Sequence, residues 1–146
     1  MNLILFALIL AHDSGVREIT ATPCDVVKVN VALGMSTVLD LSDVGEPTLT
    51  LVADETHYHI KTHENARRSI AILPAIQSDE IQRLTSSSGN SNPSAVALLL
   101  DQTFQTNLFV YFKSNTRMIF QLRWVEKPKV DYVVKVRQTF RRECRG

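Results

Sequence analysis

Apolar and polar residues alternate most cleanly over residues 104–124, FQTNLFVYFKSNTRMIFQLRW. Two apolar runs flank the polar break Lys113-Ser114-Asn115-Thr116, which predicts a β-hairpin. On the second arm Met118, Phe120, Leu122 and Trp124 share one face, and Arg117, Gln121 and Arg123 share the other, with Ile119 as the exception. Such period-two alternation means one buried face and one wet face. The first arm is apolar on both faces, Leu108, Val110 and Phe112 against Phe109 and Tyr111, so both of its faces need cover. The register stays open. A two- or four-residue loop pairs Val110 with Ile119, whereas a three-residue loop pairs Val110 with Phe120 and puts Thr116 where a left-handed residue is wanted.

The same alternation marks strands at residues 25–32, 36–41, 48–53, 57–62, 69–73 and 130–136, with residues 13–23 read as an irregular lead-in. Between the fifth strand and the hairpin the period changes. Ser78 followed by Asp79, Glu80, Ile81 and Leu84 predicts a helix start, and residues 94–102 predict a second helix. The polar stretch TSSSGNSNP at 85–93 predicts a flexible connection. The expected fold is all-β: an antiparallel β-sandwich of about eight strands, with a short helical insertion (77–103) between strands five and six. The expected organisation is an export signal and lead-in at 1–23, then a single sandwich domain at 24–146.

Composition changes this picture little, at 45% hydrophobic, 21% charged and net charge +1. Its distribution matters more. From Lys113 onward ten Lys/Arg face three Asp/Glu, whereas the earlier chain has six against twelve. A basic end suits an acidic partner, an anionic membrane surface or nucleic acid, and the plainer alternative is a solvated strand face. Residues 3–11 form an unbroken apolar run of signal-peptide length, too short to span a bilayer, although no Lys or Arg precedes it. The alternative reading of this run is a buried edge strand. Cys24 and Cys144 lie near opposite ends of the expected domain, where a disulfide would tie first and last strands together.

Candidate chemistry is sparse. His57 and His59 would share a strand face, with His63 continuing the period, a spacing that can ligate zinc or copper. Lys61 on the same face opposes a cation, and a polar outward strand face explains the histidines without metal. Ser86-Ser87-Ser88-Gly89 follows no strand, so it is not a nucleophile elbow, and the five glycines are scattered singly. The basic tail carries only one aromatic, Phe140, which argues against nucleic-acid stacking. No catalytic residue, metal or cofactor is expected.

The order of elements VVKVNVALGMSTVLDLSD, THYHIKTHENARRSIAILPA and TNLFVYFKSNTRMIFQLRW resembles the N-terminal β-sandwich of the VirB-nine/CagX/TrbG family of type IV secretion and conjugation systems. The resemblance rests on Gly34 before Thr37-Val38-Leu39, on Thr106-Asn107-Leu108, and on the arginine-led strand from Arg117 to Leu122. It departs from the family in the 77–103 insertion and in lacking a second β-domain. It implies a non-catalytic periplasmic scaffold at an outer-membrane core complex, a homo-oligomer meeting other envelope subunits, with only indirect membrane association. The residues expected at its contacts are Phe109, Tyr111, Arg117, Arg123, Lys135 and Arg137. The rival expectation is a stand-alone periplasmic metal or ligand binder using the histidine face.

Overall fold

A computed structural model describes residues 15–89 and 91–139. Nine strands and two helices follow one another: β1 (Val16–Ala21), β2 (Val26–Val31), β3 (Thr37–Asp40), β4 (Pro47–Val52), β5 (Tyr58–His63), β6 (Ala66–Pro74), α1 (Ser78–Ser88), α2 (Pro93–Phe104), β7 (Thr106–Phe112), β8 (Arg117–Trp124) and β9 (Val133–Gln138). A 3-10 turn at Lys127–Lys129 precedes β9. The strands form a five-stranded sheet, β1-β9-β3-β6-β5, and a four-stranded sheet, β2-β8-β7-β4. Alternate residues of both sheets, among them Val29, Leu39, Ile70, Ile72, Val110, Phe120 and Val134, enter one core.

The expected all-β, two-sheet architecture is present, with three corrections. Among the described residues there are nine strands, because residues 16–21, read as lead-in, form β1 and pair with β9 along their whole length. The folded unit therefore begins ahead of residue 24, and the helices lie between the sixth and seventh strands. The sheets are also mixed rather than antiparallel: β1–β9, β3–β9 and β2–β8 run parallel. Alternation reports which residues share a face and carries no information about strand direction.

The helical segment also departs from expectation. α1 continues through Ser88, into the stretch expected to be flexible. Its Ser/Thr side chains bond back to the preceding turn: Thr85 Oγ1 donates to the Ile81 carbonyl at 2.9 Å and Ser86 Oγ to the Gln82 carbonyl at 2.6 Å. These bonds satisfy hydroxyls that would otherwise compete with the helix. Gly89, at φ 66°, ends it. Ser78 is the first helical residue rather than the cap, which is Gln77, without a side-chain bond. In α2 the cap is Asn92, whose side chain accepts from the Ser94 amide at 3.0 Å, with Pro93 opening the helix.

Polar side chains join the layers at three places. Asp131, almost fully buried before β9, accepts Arg17 Nε at 2.9 Å, Arg17 Nη2 at 2.7 Å and the Asn30 amide at 2.7 Å. Those bonds close the side of the sandwich where β1 and β2 are the sheet edges. Asp101 on α2 receives Arg123 Nε at 3.0 Å and the Trp124 amide at 2.8 Å, docking the helix on β8. In the core, the Tyr58 hydroxyl accepts from Trp124 Nε1 at 2.5 Å and donates to the Phe104 carbonyl at 2.6 Å, linking both sheets and α2. Burial pushes the Tyr58 phenol far above its ordinary range, so it stays a donor.

Candidate assembly surface

The hairpin register decides what lies on the outer face of the four-stranded sheet. Asn115 adopts φ 57°, and the Phe112 amide bonds the Thr116 carbonyl at 3.0 Å, so the loop is Lys113-Ser114-Asn115. This is a three-residue loop one position earlier than the three-residue alternative left open in the sequence, and it pairs Val110 with Met118 and Phe109 with Ile119. The left-handed position then falls on Asn115, which tolerates it, rather than on β-branched Thr116. The inward residues are those expected: Leu108, Val110, Phe112, Met118, Phe120, Leu122 and Trp124 are all buried.

The outward residues line up. Val26 pairs with Ile119, Ile119 with Phe109, and Phe109 with Leu51, giving an apolar row across all four strands. At about 4.8 Å per strand the row is roughly 14 Å wide. Beside it Tyr111 pairs with Leu49 on one side and with Arg117 on the other. α2 leaves the row uncovered: Val26 is 54% exposed, Leu49 49% and Leu51 44%, and Phe109, Tyr111 and Ile119 are half-buried. In β4 the usual order is inverted. Leu49 and Leu51 face out, while Thr50 pairs with inward Val110. A solvated strand would place its threonines outside and its leucines inside. The residues read from sequence as contacts, Phe109 and Tyr111, therefore sit at the middle of this face. Val26, Leu49 and Leu51 were missed, because alternation in TLTLV defines two faces without saying which one is buried.

The expected basic contact surface is not one surface. Arg117 borders the apolar row and is exposed. Arg123 lies on the same sheet but is held by Asp101, whose carboxylate raises its pKa further. Lys135 and Arg137 belong to β9 in the other sheet. There Lys135 registers between Glu18 and Asp40, and Arg137 reaches Glu18 at 3.0 Å and Asp43 at 3.8 Å. Asp40 is held below its ordinary value by hydrogen bonds from the Ser42 hydroxyl and amide, with Lys135 adding a smaller pull.

No family model matches this chain, and no curated protein does either. The histidines, too, are placed differently from the sequence reading. β5 begins at Tyr58, and the His57 ring lies between two carboxylates, with Nδ1 2.8 Å from Asp54 Oδ2 and Nε2 3.2 Å from Glu80 Oε2. It packs against the Phe104 ring at 4.5 Å between centroids, the two planes tilted by 49°. Both nitrogens being engaged, His57 pins the first turn of α1 to the β4–β5 connection and does not join His59 and His63. Those two stay exposed on β5, an edge strand, with Lys61 between them. Polar and charged side chains there discourage strand addition. Among the described residues no group of three or more His, Cys, Asp or Glu is placed to hold a metal ion. No described helix is long and apolar enough to cross a membrane. Cys24 lies in the β1–β2 turn, and its expected partner Cys144 falls outside the described residues, as do the apolar run at 3–11 and Phe140.

Proposed function

We propose that the protein is a non-catalytic assembly subunit that docks through the outer face of its four-stranded sheet. The single observation behind this reading is the apolar row Val26–Ile119–Phe109–Leu51, which no element among the described residues covers. Contiguous exposed apolar surface of this kind marks contact sites, and the half-buried aromatics Phe109 and Tyr111 supply the anchor chemistry of an interface. Arg117 at its border supplies a charged rim that orients an acidic partner surface. The resemblance to the VirB-nine/CagX/TrbG sandwich suggests the setting: a periplasmic, outer-membrane-associated core complex with copies of this chain and other envelope subunits as neighbours. Affinity purification of the tagged chain from its native envelope tests the reading. The double variant Val26→Lys, Leu51→Lys should lose the co-purifying subunits while keeping its thermal midpoint nearly unchanged, since both residues are half exposed. Retention of the same subunits by the folded variant would overturn it.

A further inference from the structure

We infer that two copies of this chain pair β4 with β4, antiparallel about a two-fold axis at Leu51, joining their four-stranded sheets edge to edge. The pairing rests on the outer face proposed above as a contact surface, and it names the partner and the geometry. Among the described strands, β1, β5, β2 and β4 are the sheet edges. Three of them carry the charged or polar side chains that discourage strand addition: Arg17 and Glu18 on β1, Lys28 on β2, and His59, Lys61 and His63 on β5. Arg17 Nη2 also donates to the Lys28 carbonyl at 2.6 Å, which occupies a backbone acceptor of β2. β4, PTLTLV, carries no charge. The carboxylates nearest to it in sequence are Glu46, 3.8 Å from Arg67, Asp54, 2.8 Å from His57, and Glu55. Glu55 lines an open cleft of about 410 Å³ with His59 and Lys61, and that cleft runs beside Thr50 and Val52. The β4 edge is therefore both unprotected and uncovered among the described residues.

The backbone selects the register. The Ala53 amide bonds the Asn107 carbonyl at 3.1 Å, so at Ala53 the main chain points to β7. By the period of two, Leu51 and Leu49 also point there, and Thr50 and Val52 turn their amides and carbonyls to the open edge. The register shift between Pro47 and Leu49, together with the missing amide of Pro47, ends the regular edge at Leu49. Residues 49–53 are then self-complementary. Thr50 opposes Val52 of the partner subunit, a pair that exchanges both amide–carbonyl bonds, and Leu51 opposes the partner's Leu51. Because Leu51 ends the row Val26–Ile119–Phe109–Leu51, the two rows meet end to end as one. At about 4.8 Å per strand the joined row is roughly 34 Å wide. A two-fold pair consumes the β4 edge of both copies, so assembly at this edge stops at two chains.

Disulfide trapping on the full chain tests the pairing. Leu51→Cys puts a thiol at the axis, in a non-hydrogen-bonded pair whose Cα atoms lie about 4.5 Å apart, within disulfide reach. Under mild oxidation at low concentration it should give a two-chain species, with mass spectrometry finding position 51 of both copies in one linked peptide. Leu49→Cys, similarly exposed but opposite the partner's Ala53, should stay single-chain. Equal linkage of both variants, linkage of Leu49→Cys alone, or no linkage would overturn the pairing. Thr50→Pro added to Leu51→Cys removes an edge amide and spares the β7 ladder, so it should abolish the link, and a link that persists would overturn the pairing too. The Leu51–Leu49 comparison decides without that variant should it fail to fold. Val26→Lys, three strands away on β2, tests the outer face separately. Loss of co-purifying subunits in Val26→Lys with no link in Leu51→Cys would keep the face and reject the edge pairing. A Leu51→Cys link, in a protein whose subunits Val26→Lys leaves bound, would keep the edge pairing and reject the face.

Discussion

Arg117 and Arg123 look equivalent in sequence, six residues apart on one strand face, yet they have different work. Arg123 neutralises a buried carboxylate on α2, and Arg117 faces solvent beside the apolar row. Arg123→Glu, opposite Asp101, should lower stability by about 2–3 kcal/mol, at the low end for a pair whose arginine is one-third exposed. Arg117→Glu should stay within about 0.5 kcal/mol. Urea unfolding of both variants measures the difference. Asp131 carries about as much as Arg123: Asp131→Ala removes the partner of the Asn30 amide and of Arg17 and should cost about 2–3 kcal/mol. Asp40 introduces a pH dependence. Its pKa is lowered on folding from an ordinary 3.8, so its stabilisation is present above pH 4 and lost as pH falls through the lowered value. Acid unfolding of Asp40→Asn should show a shallower decline below pH 4 than the parent, and an unchanged slope would remove Asp40 as a contributor. The Arg123–Asp101 and Asp131 pairings are not legible in sequence, because each joins residues brought together only by the fold, whereas the Asp40–Ser42 contact is local.

At the scale of elements, the legible part is whatever alternates with one face apolar. β2, β3, β7 and β8 are such strands, and they appear within a residue or two of their expected bounds. β1 hides because it breaks the rule: Val16 faces out at 49% exposure, and Arg17 takes an inward-leaning position, made tolerable by Asp131. The last strand begins later than expected, since Asp131, read as the second residue of a strand, serves as the clamp before it. The extent of α1 was hidden by its serines, which favour loops unless their hydroxyls bond back to the helix. The hairpin loop offers a direct check on its register. Asn115→Val should cost about 1–2 kcal/mol, because a β-branched residue resists left-handed backbone, while Asn115→Gly should be neutral or slightly stabilising. The reverse ranking in thermal melts would mean that the loop is not Lys113-Ser114-Asn115.

For the whole molecule, the two sides of the four-stranded sheet receive unequal treatment. Its inner side is fully packed, and its outer side carries an apolar row that ends in half-exposed Val26 and Leu51. Sequence located the centre of that row through the doubly apolar first arm of the hairpin, but not its ends, which require the parallel β2–β8 pairing and the inverted β4. A stable interface needs at least about 1,000 Å² in total, more than the row alone supplies, so the surrounding rim with Tyr111, Leu49 and Arg117 must take part. The measurement that tests assembly through this face most directly is light scattering after size exclusion, run over a concentration series on the parent chain and on Val26→Lys, Leu51→Lys. Assembly predicts a parent mass that rises with concentration to a fixed multiple of one chain, and a folded variant that stays at the mass of one chain throughout. Equal masses for parent and variant, whether single chains or oligomers, would contradict it.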